Sequence, residues 1–430
     1  MAKALLISVG GSHQPVVHSL NQQEPDYVIY FASSQSRSMI RQEIEPALHY
    51  HPLDHDIIVT PDPNNLVESV AEIMRKLPRL LEMWGLTNED ITGDYTGGTK
   101  TMSAAVVLAL ADHGCRYSYV GGKIRNKDGL GTVQDGHEEM VSLENPWDTL
   151  AVGPLRDIAL LFNRCRFRSA HDLAQRTAGR TDKLKNFFSN LQTAIYGYLC
   201  WDNFIYNKAL GSLGKARNWF GSAAEMKGHP AFIKFAEALV ENQEHVKRVK
   251  DQYDTLTQGT QTASQASVDD RPLVLDLLAN AKRRGEVEHK YDDAVARLYT
   301  ALEKMAKIKL LMAYGVDNSN LDLSKVPDQA LRDELTATCQ DRDGRVRLPL
   351  FKSYSLLAAL GDDLGEKYRT RTRDLEKILE VRNMSLLAHG FKAVKQETYQ
   401  TLMGIALEFA GATTEELPRF PMMDWSDALL

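Results

Sequence analysis

Cysteine is scarce in this chain. Its four residues, Cys115, Cys165, Cys200 and Cys339, lie far apart and form no CxxC pair. That spacing argues against a zinc site or a disulfide framework and fits a reduced, cytoplasmic setting. Long apolar runs are missing too: no stretch approaches the roughly 18 residues that a membrane helix needs. The opening MAKALLISVGG lacks the layout of a signal peptide and reads as a strand. There is no excess of positive charge, with 51 Lys+Arg against 57 Asp+Glu and a net charge of −6. Such a balance argues against a protein that coats nucleic acid indiscriminately, and leaves room for a focused basic site. The Walker phosphate-loop spacing does not occur, and no GxGxxG follows the first strand, which disfavours an ATPase or a dehydrogenase. No internal repeat is visible.

What is present is the composition of an ordinary globular protein, 43% hydrophobic and 25% charged over 430 residues, enough for two or three domains. Residues 1 to about 145 alternate strand and helix. Apolar runs at Leu5–Val9, Tyr27–Phe31, Asp56–Val59 and Ile91–Tyr95 alternate with helical stretches, Asn64–Trp84 and Thr101–His113 among them. Near-continuous apolar strands between helices predict a mostly parallel sheet covered on both faces, a Rossmann-like α/β domain. Tyr117–Gly121 and Met140–Leu143 read as a final hairpin, with Asn126-Lys127-Asp128-Gly129 as turn material. Asn145-Pro146-Trp147-Asp148 marks a boundary, and almost everything beyond about 155 reads as helix. The polar stretch Thr255–Asp270 reads as a loop or linker. Val295, Leu298, Leu302, Met305 and Ile308 form a core stripe on the first long helix after it. The expected division is 1–148, an α/β domain; 149–270, an all-helical connection; and 271–430, an all-helical domain.

Two glycine turns stand at strand ends: Gly10-Gly11-Ser12-His13, and Thr96-Gly97-Gly98-Thr99-Lys100 before a helix. In an open parallel sheet, ligands bind at the carboxyl ends of the strands. Glycine lets backbone approach a ligand, and helix N-terminal amides favour an anion. The threonine hydroxyls and Lys100 add donors, so a phosphate-bearing ligand is the natural reading. The alternative is that the glycines merely turn the chain and that His13 is a solvated loop residue.

The segment Arg382-Asn383-Met384-Ser385-Leu386-Leu387-Ala388-His389-Gly390 reads as helical. Arg382 and His389 fall in phase with Leu375, Leu379 and Leu386, on a stripe where an amphipathic helix puts apolar groups. A cation and an imidazole there cost desolvation unless something compensates. Histidine can move a ribose hydroxyl proton, and an arginine fork can hold a phosphate. Together they suffice for metal-free RNA cleavage through the 2′-hydroxyl, and no cluster with metal-ligand spacing lies nearby. Seven helical residues span about 10 Å, so two copies of the helix at a two-fold axis would gather the groups best, which implies a homodimer. Asn383 lies off the stripe and is placed to orient a side chain or contact RNA. The alternative is structural: His389 in a last helical turn before a Gly390 cap, and Arg382 paired with a glutamate such as Glu380.

Taken jointly, the two motifs resemble those of the CARF–HEPN ribonucleases of type III CRISPR systems. Asp94 to Met102 (DYTGGTKTM) matches the family's Asp-x-Ser/Thr-x-Gly-x-Lys/Arg-x-Met run, and Arg382-Asn383 to His389 matches its Arg-x(4–6)-His signature. The resemblance covers essentially the whole chain. It implies a CARF sensing domain, a helical connection and a HEPN nuclease domain. The activator would be a cyclic oligoadenylate, of four or six units, and the substrate single-stranded RNA. Carried over, Thr96, Gly97, Gly98, Thr99 and Lys100 would line the activator site, with Gly10, Gly11, Ser12 and His13 as further candidates. Arg382 and His389 would be catalytic, with Asn383 in support. No metal and no cofactor other than the activator are expected. Slow cleavage of the ring by the sensing domain, a non-catalytic sensor and a HEPN toxin held by a protein partner are the competing expectations.

Overall fold

The computed structural model describes residues 3–111, 115–122, 138–146, 151–258, 271–388 and 390–425. Two compact units are distinguished, Met1–Pro154 with Arg176–Phe187, and Leu155–Gln175 with Phe188–Ala428.

The first unit is built on a six-stranded sheet. Its strands are β1 (Ala4–Ser8), β2 (Tyr27–Ser33), β3 (Asp54–Thr60), β4 (Ile91–Asp94), β5 (Arg116–Gly121) and β6 (Glu139–Leu143). Their order is β3-β2-β1-β4-β5-β6. All neighbours are parallel except β5 and β6, which pair antiparallel as the predicted hairpin. The expected turn at Asn126–Gly129 lies outside the described residues, as do His113, Trp147 and Asp148.

Alternation along the strands divides the core. Ala4, Leu6, Ile29, Phe31 and Ile58 meet α2 (Leu66–Met83) and α3 (Lys100–Leu110) on one face. Leu5, Ile7, Val28 and Tyr30 meet α1 (Gln14–Gln23), Ile40 and Ile44 on the other. Burial on both faces explains why the central strands carry no polar alternation. The sheet order reverses between β1 and β4, so the crevice for a ligand belongs at the carboxyl ends of these two strands.

The second unit is helical in its regular structure. It contains α4 (Val152–Asn163), α5 (Phe167–Arg180), α6 (Lys185–Asp202), α7 (Tyr206–Lys227), α8 (Pro230–Gln258), α9 (Pro272–Lys282), α10 (Tyr291–Tyr314), α11 (Gln329–Cys339), α12 (Leu350–Ala359), α13 (Asp363–Met384) and α14 (Gln396–Ala410), the ends of α5 and α6 belonging to the first unit. On α10 the expected stripe is inward, with Val295, Leu298, Leu302 and Ile308 buried and Met305 partly so. The polar stretch expected to begin a loop at Thr255 is helical to Gln258. Thr255 and Thr257 hydroxyls donate to the carbonyls of Asp251 and Tyr253 at 2.9 Å each and so follow the helix rather than oppose it. Residues 259–270 lie outside the described residues.

Polar groups are buried in this unit. Asp202 accepts from Asn280 Nδ2 and Arg283 Nε, both at 3.0 Å, and from Arg284 Nη2 at 2.6 Å. The fully buried Asp276 accepts from Trp201 Nε1 at 2.6 Å and the Tyr206 hydroxyl at 2.7 Å. Burial pushes the Asp276 carboxyl up to about 6, against the pull of Arg283 and of the two donors. No described helix is long and apolar enough to cross a membrane.

Candidate functional site

At the carboxyl end of β1, Ser8 directs its hydroxyl to the carbonyl of Gly97 at 2.7 Å, and Ser103 of α3 reaches the same carbonyl at 3.0 Å. Gly10 and Gly98 then meet backbone to backbone. A Cβ on Gly10 would stand 2.4 Å from the Gly98 nitrogen, and Gly98 itself has φ +81. A Cβ on Gly97 would stand 2.4 Å from the carbonyl oxygen of Ser8. Side chains are therefore excluded where the two turns touch.

Asp94 anchors this junction from below. Its buried carboxylate accepts from the Thr96 amide at 2.9 Å and from the hydroxyls of Ser19 and Ser118 at 2.7 and 2.8 Å. Thr96 in turn accepts from the Val120 amide at 2.8 Å. Thr99 caps α3 by accepting from the Met102 amide at 3.2 Å, and donates to the Pro63 carbonyl at 2.6 Å. Its hydroxyl proton is thus engaged within the fold. The first helical amides, those of Lys100 and Thr101, have no intrahelical partner.

A cleft of about 260 Å³ opens at this junction, lined by Val9, Gly10, Gly11, Gly98, Thr99, Met102, Pro63 and, from the end of β2, Ser33, Gln35, Ser36 and Met39. The structure thus brings Gly10, Gly11, Gly98 and Thr99 together. Lys100 is exposed and does not line the cleft, nor do Ser12, His13, Thr96 or Gly97. Ser12 instead donates to Gln14 Oε1 at 2.7 Å, and His13 Nδ1 lies 2.7 Å from Glu43 Oε2, which gives that histidine a carboxylate rather than a phosphate for partner. Sequence reading missed Ser33, Gln35 and Ser36. Their signal was the strand-end position of Ala32-Ser33-Ser34, beside β1 once β2 is its neighbour.

The second candidate region lies at the end of α13. This helix ends at Met384, and Ser385 is extended (φ −73, ψ 156). The continuous helix expected through His389 is therefore not formed. Ala388 and Gly390 amides donate to the Ser385 carbonyl at 3.1 and 3.2 Å, and the Lys392 amide donates to Met384 O at 3.1 Å. Gly390 is not a helix cap: a Cβ there would stand 2.1 Å from the Met384 carbonyl oxygen, so glycine is needed for close backbone approach. Leu375 and Ile378 form the buried side of α13, whereas Leu386 is 62% exposed. His389 lies outside the described residues.

Arg382 is half-buried. Its Nη1 donates to Asn383 Oδ1 at 2.9 Å, and its Cζ lies 5.2 Å from the centre of the Tyr299 ring on α10. It makes no ion pair among the described residues, so the alternative of a glutamate partner is not realised. Tyr299 carried no sequence signal. Around this end of α13, Leu387 and Phe391 are 65% and 94% exposed. Among the described residues no group of three or more His, Cys, Asp or Glu is arranged to hold a metal ion.

Comparison with known proteins bears on the helical region and on the fold. Residues 263–412 match the family model of the Csm6 HEPN domain, and residues 150–242 match that of the Csm6 6H domain. Together the two matches span more than half of the chain. The chain belongs to the Csm6-like CARF–HEPN proteins. Arg382 falls within the HEPN match, and α7 lies within the 6H match. Among solved structures, Enterococcus italicus Csm6 bound to cyclic hexa-2'-fluoro-hexa-dAMP is similar in fold, with a TM-score of 0.56, 12% identity and 97% of each chain covered. No curated protein matches the sequence.

Proposed function

We propose that this protein is a cyclic-oligoadenylate-activated, metal-independent endoribonuclease of type III CRISPR defence that cuts single-stranded RNA as a homodimer. The observation that carries the reading is the half-buried Arg382 guanidinium, which lies in the HEPN-matching segment and has no carboxylate partner among the described residues. A cation kept from its own protein's acids is suited to a phosphodiester. Residues 1–148 would sense the ring, 149–270 connect, and 271–430 cut.

In this reading the His389 imidazole removes the proton of a ribose 2′-hydroxyl. The resulting oxygen attacks the adjacent phosphorus, Arg382 stabilises the charge on the phosphoryl oxygens, and the 5′ oxygen leaves with a proton from the second protomer's protonated imidazolium. The products are a 2′,3′-cyclic phosphate and a 5′-hydroxyl. Asn383 holds the fork of Arg382.

The activator would sit on Gly10, Gly11, Gly98 and Thr99, with Lys100 and the first amides of α3 at the rim; Ser12, His13, Thr96 and Gly97 support that turn. A cleft of about 260 Å³ is smaller than the roughly 300–1,000 Å³ of a complete small-molecule site, which favours a ring shared by two protomers. The E. italicus protein's ligand supports the ring chemistry. We assign no ring cleavage to this cleft, since Thr99 has its proton engaged and Lys100 stands outside it.

The test is cleavage of a labelled single-stranded RNA with EDTA present, without activator and with cyclic tetra- or hexaadenylate. Activity should appear only with a ring, and His389→Ala should abolish it while ring binding survives. Cleavage retained by His389→Ala, or cleavage indifferent to every ring, would defeat the proposal.

A further inference from the structure

Arg382 stands two residues from the end of α13, where the backbone turns extended at Ser385. A long side chain at a helix end samples many rotamers, so something must hold it for its fork to face a phosphate reproducibly. Asn383 fixes only Nη1. Among the described residues, the ring of Tyr299 also meets the guanidinium, 5.2 Å from Cζ.

Tyr299 belongs to a different helix, α10, whose Leu298 and Leu302 are fully buried, so its backbone is fixed by the core. The nearest acid along α10, Glu303, is engaged by Lys307 Nζ at 2.6 Å and leaves the arginine to the ring. Burial and the Glu303 charge raise the tyrosine hydroxyl above its ordinary range, with Arg382 opposing, so the ring stays neutral at physiological pH. A neutral ring attracts the guanidinium through its π-face without neutralising it. A carboxylate in the same place would bind the cation more tightly and compete with RNA.

We infer that Tyr299 is the positioning residue of the cleavage site: its ring holds the Arg382 guanidinium, with Asn383, so that the remaining nitrogens stay available to the scissile phosphate. This rests on the ribonuclease reading above and assigns a role to a residue outside the Arg-x(4–6)-His signature. Because the ring acts through Arg382, its removal lowers the rate of the chemical step more than it weakens RNA binding.

The experiment measures kcat and KM for RNA with full-length protein at saturating cyclic oligoadenylate. Tyr299→Leu and Tyr299→Met should each lose about tenfold or more in kcat with KM changed less than about threefold, and Tyr299→Phe, which keeps the ring, should stay within about twofold of the native rate. Melting temperatures and activator binding should be unaltered. Full kcat in both non-aromatic variants, or a fall in Tyr299→Phe as large as theirs, would overturn the inference while leaving the ribonuclease reading intact. A native protein that cuts no RNA with any ring would instead overturn that reading, and this inference with it.

Discussion

Gly98 shows how a single residue carries the ligand turn. Its φ of +81 lies where side chains are strained, and its nitrogen is the atom that Gly10 approaches. Gly98→Ala therefore bends the floor of the cleft. Expected is a rise of about tenfold or more in the activator concentration for half-maximal cleavage, with the rate at saturation preserved, a split that reports lost binding rather than lost chemistry. Asp276 makes a different residue-scale prediction. Its carboxyl titrates near 6 in the folded chain, against about 3.9 unfolded. The folded state therefore holds the proton more tightly. Its contribution to stability is full below about pH 4 and is lost as pH rises through 6. Relative to Asp276→Asn, the native protein should lose on the order of 3 kcal/mol between pH 4 and 7, read from denaturant unfolding at each pH. Both of that carboxylate's bonds are accepted from donors, so the Asn variant turns an amide toward one of them and starts less stable by about 1–3 kcal/mol.

At the scale of elements, α13 departs most from the sequence reading. Leu386-Leu387-Ala388 has strong helical propensity and continues the apolar phase of Leu375 and Leu379, so the apolar pattern does not announce the break. The chain instead folds back on itself here: Ser385 pairs with Lys392 as an isolated bridge, and Gly390 lies close against Met384. Serine followed by a nearby glycine was the available hint, because both favour helix ends. Gly390→Ala should force this turn open. RNA cleavage should fall about tenfold or more while ring binding, measured by calorimetry, stays within about twofold. The strands were legible because burial on both faces writes near-continuous apolar runs. The α8 helix runs past the expected start of the loop, and there the Thr255 and Thr257 hydroxyls bond back to its own carbonyls.

At the scale of the whole molecule, the class of each unit could be read from periodicity, but the sheet order could not. Apolar runs do not say which strand neighbours which, and the partners of Gly10 and Gly98 in the cleft follow from that order alone. Assembly is expected from the spacing of Arg382 and His389, and the exposed Leu387 and Phe391 beside the end of α13 give it a testable surface. Two aspartates there, Leu387→Asp with Phe391→Asp, should weaken self-association in sedimentation velocity and lower cleavage by about a hundredfold, since in the proposed homodimer each cut draws groups from both copies. Unchanged cleavage by a fully monomeric variant would show that one copy suffices.

The backbone contact between Gly10 and Gly98 joins turns that lie nearly ninety positions apart in the chain into one piece of floor. If the activator sits on this floor as proposed, its preference for a given ring depends on both segments together. A chimera that imports only one of the two from a relative should break the fit between them, whereas grafting both together should transfer the preference intact.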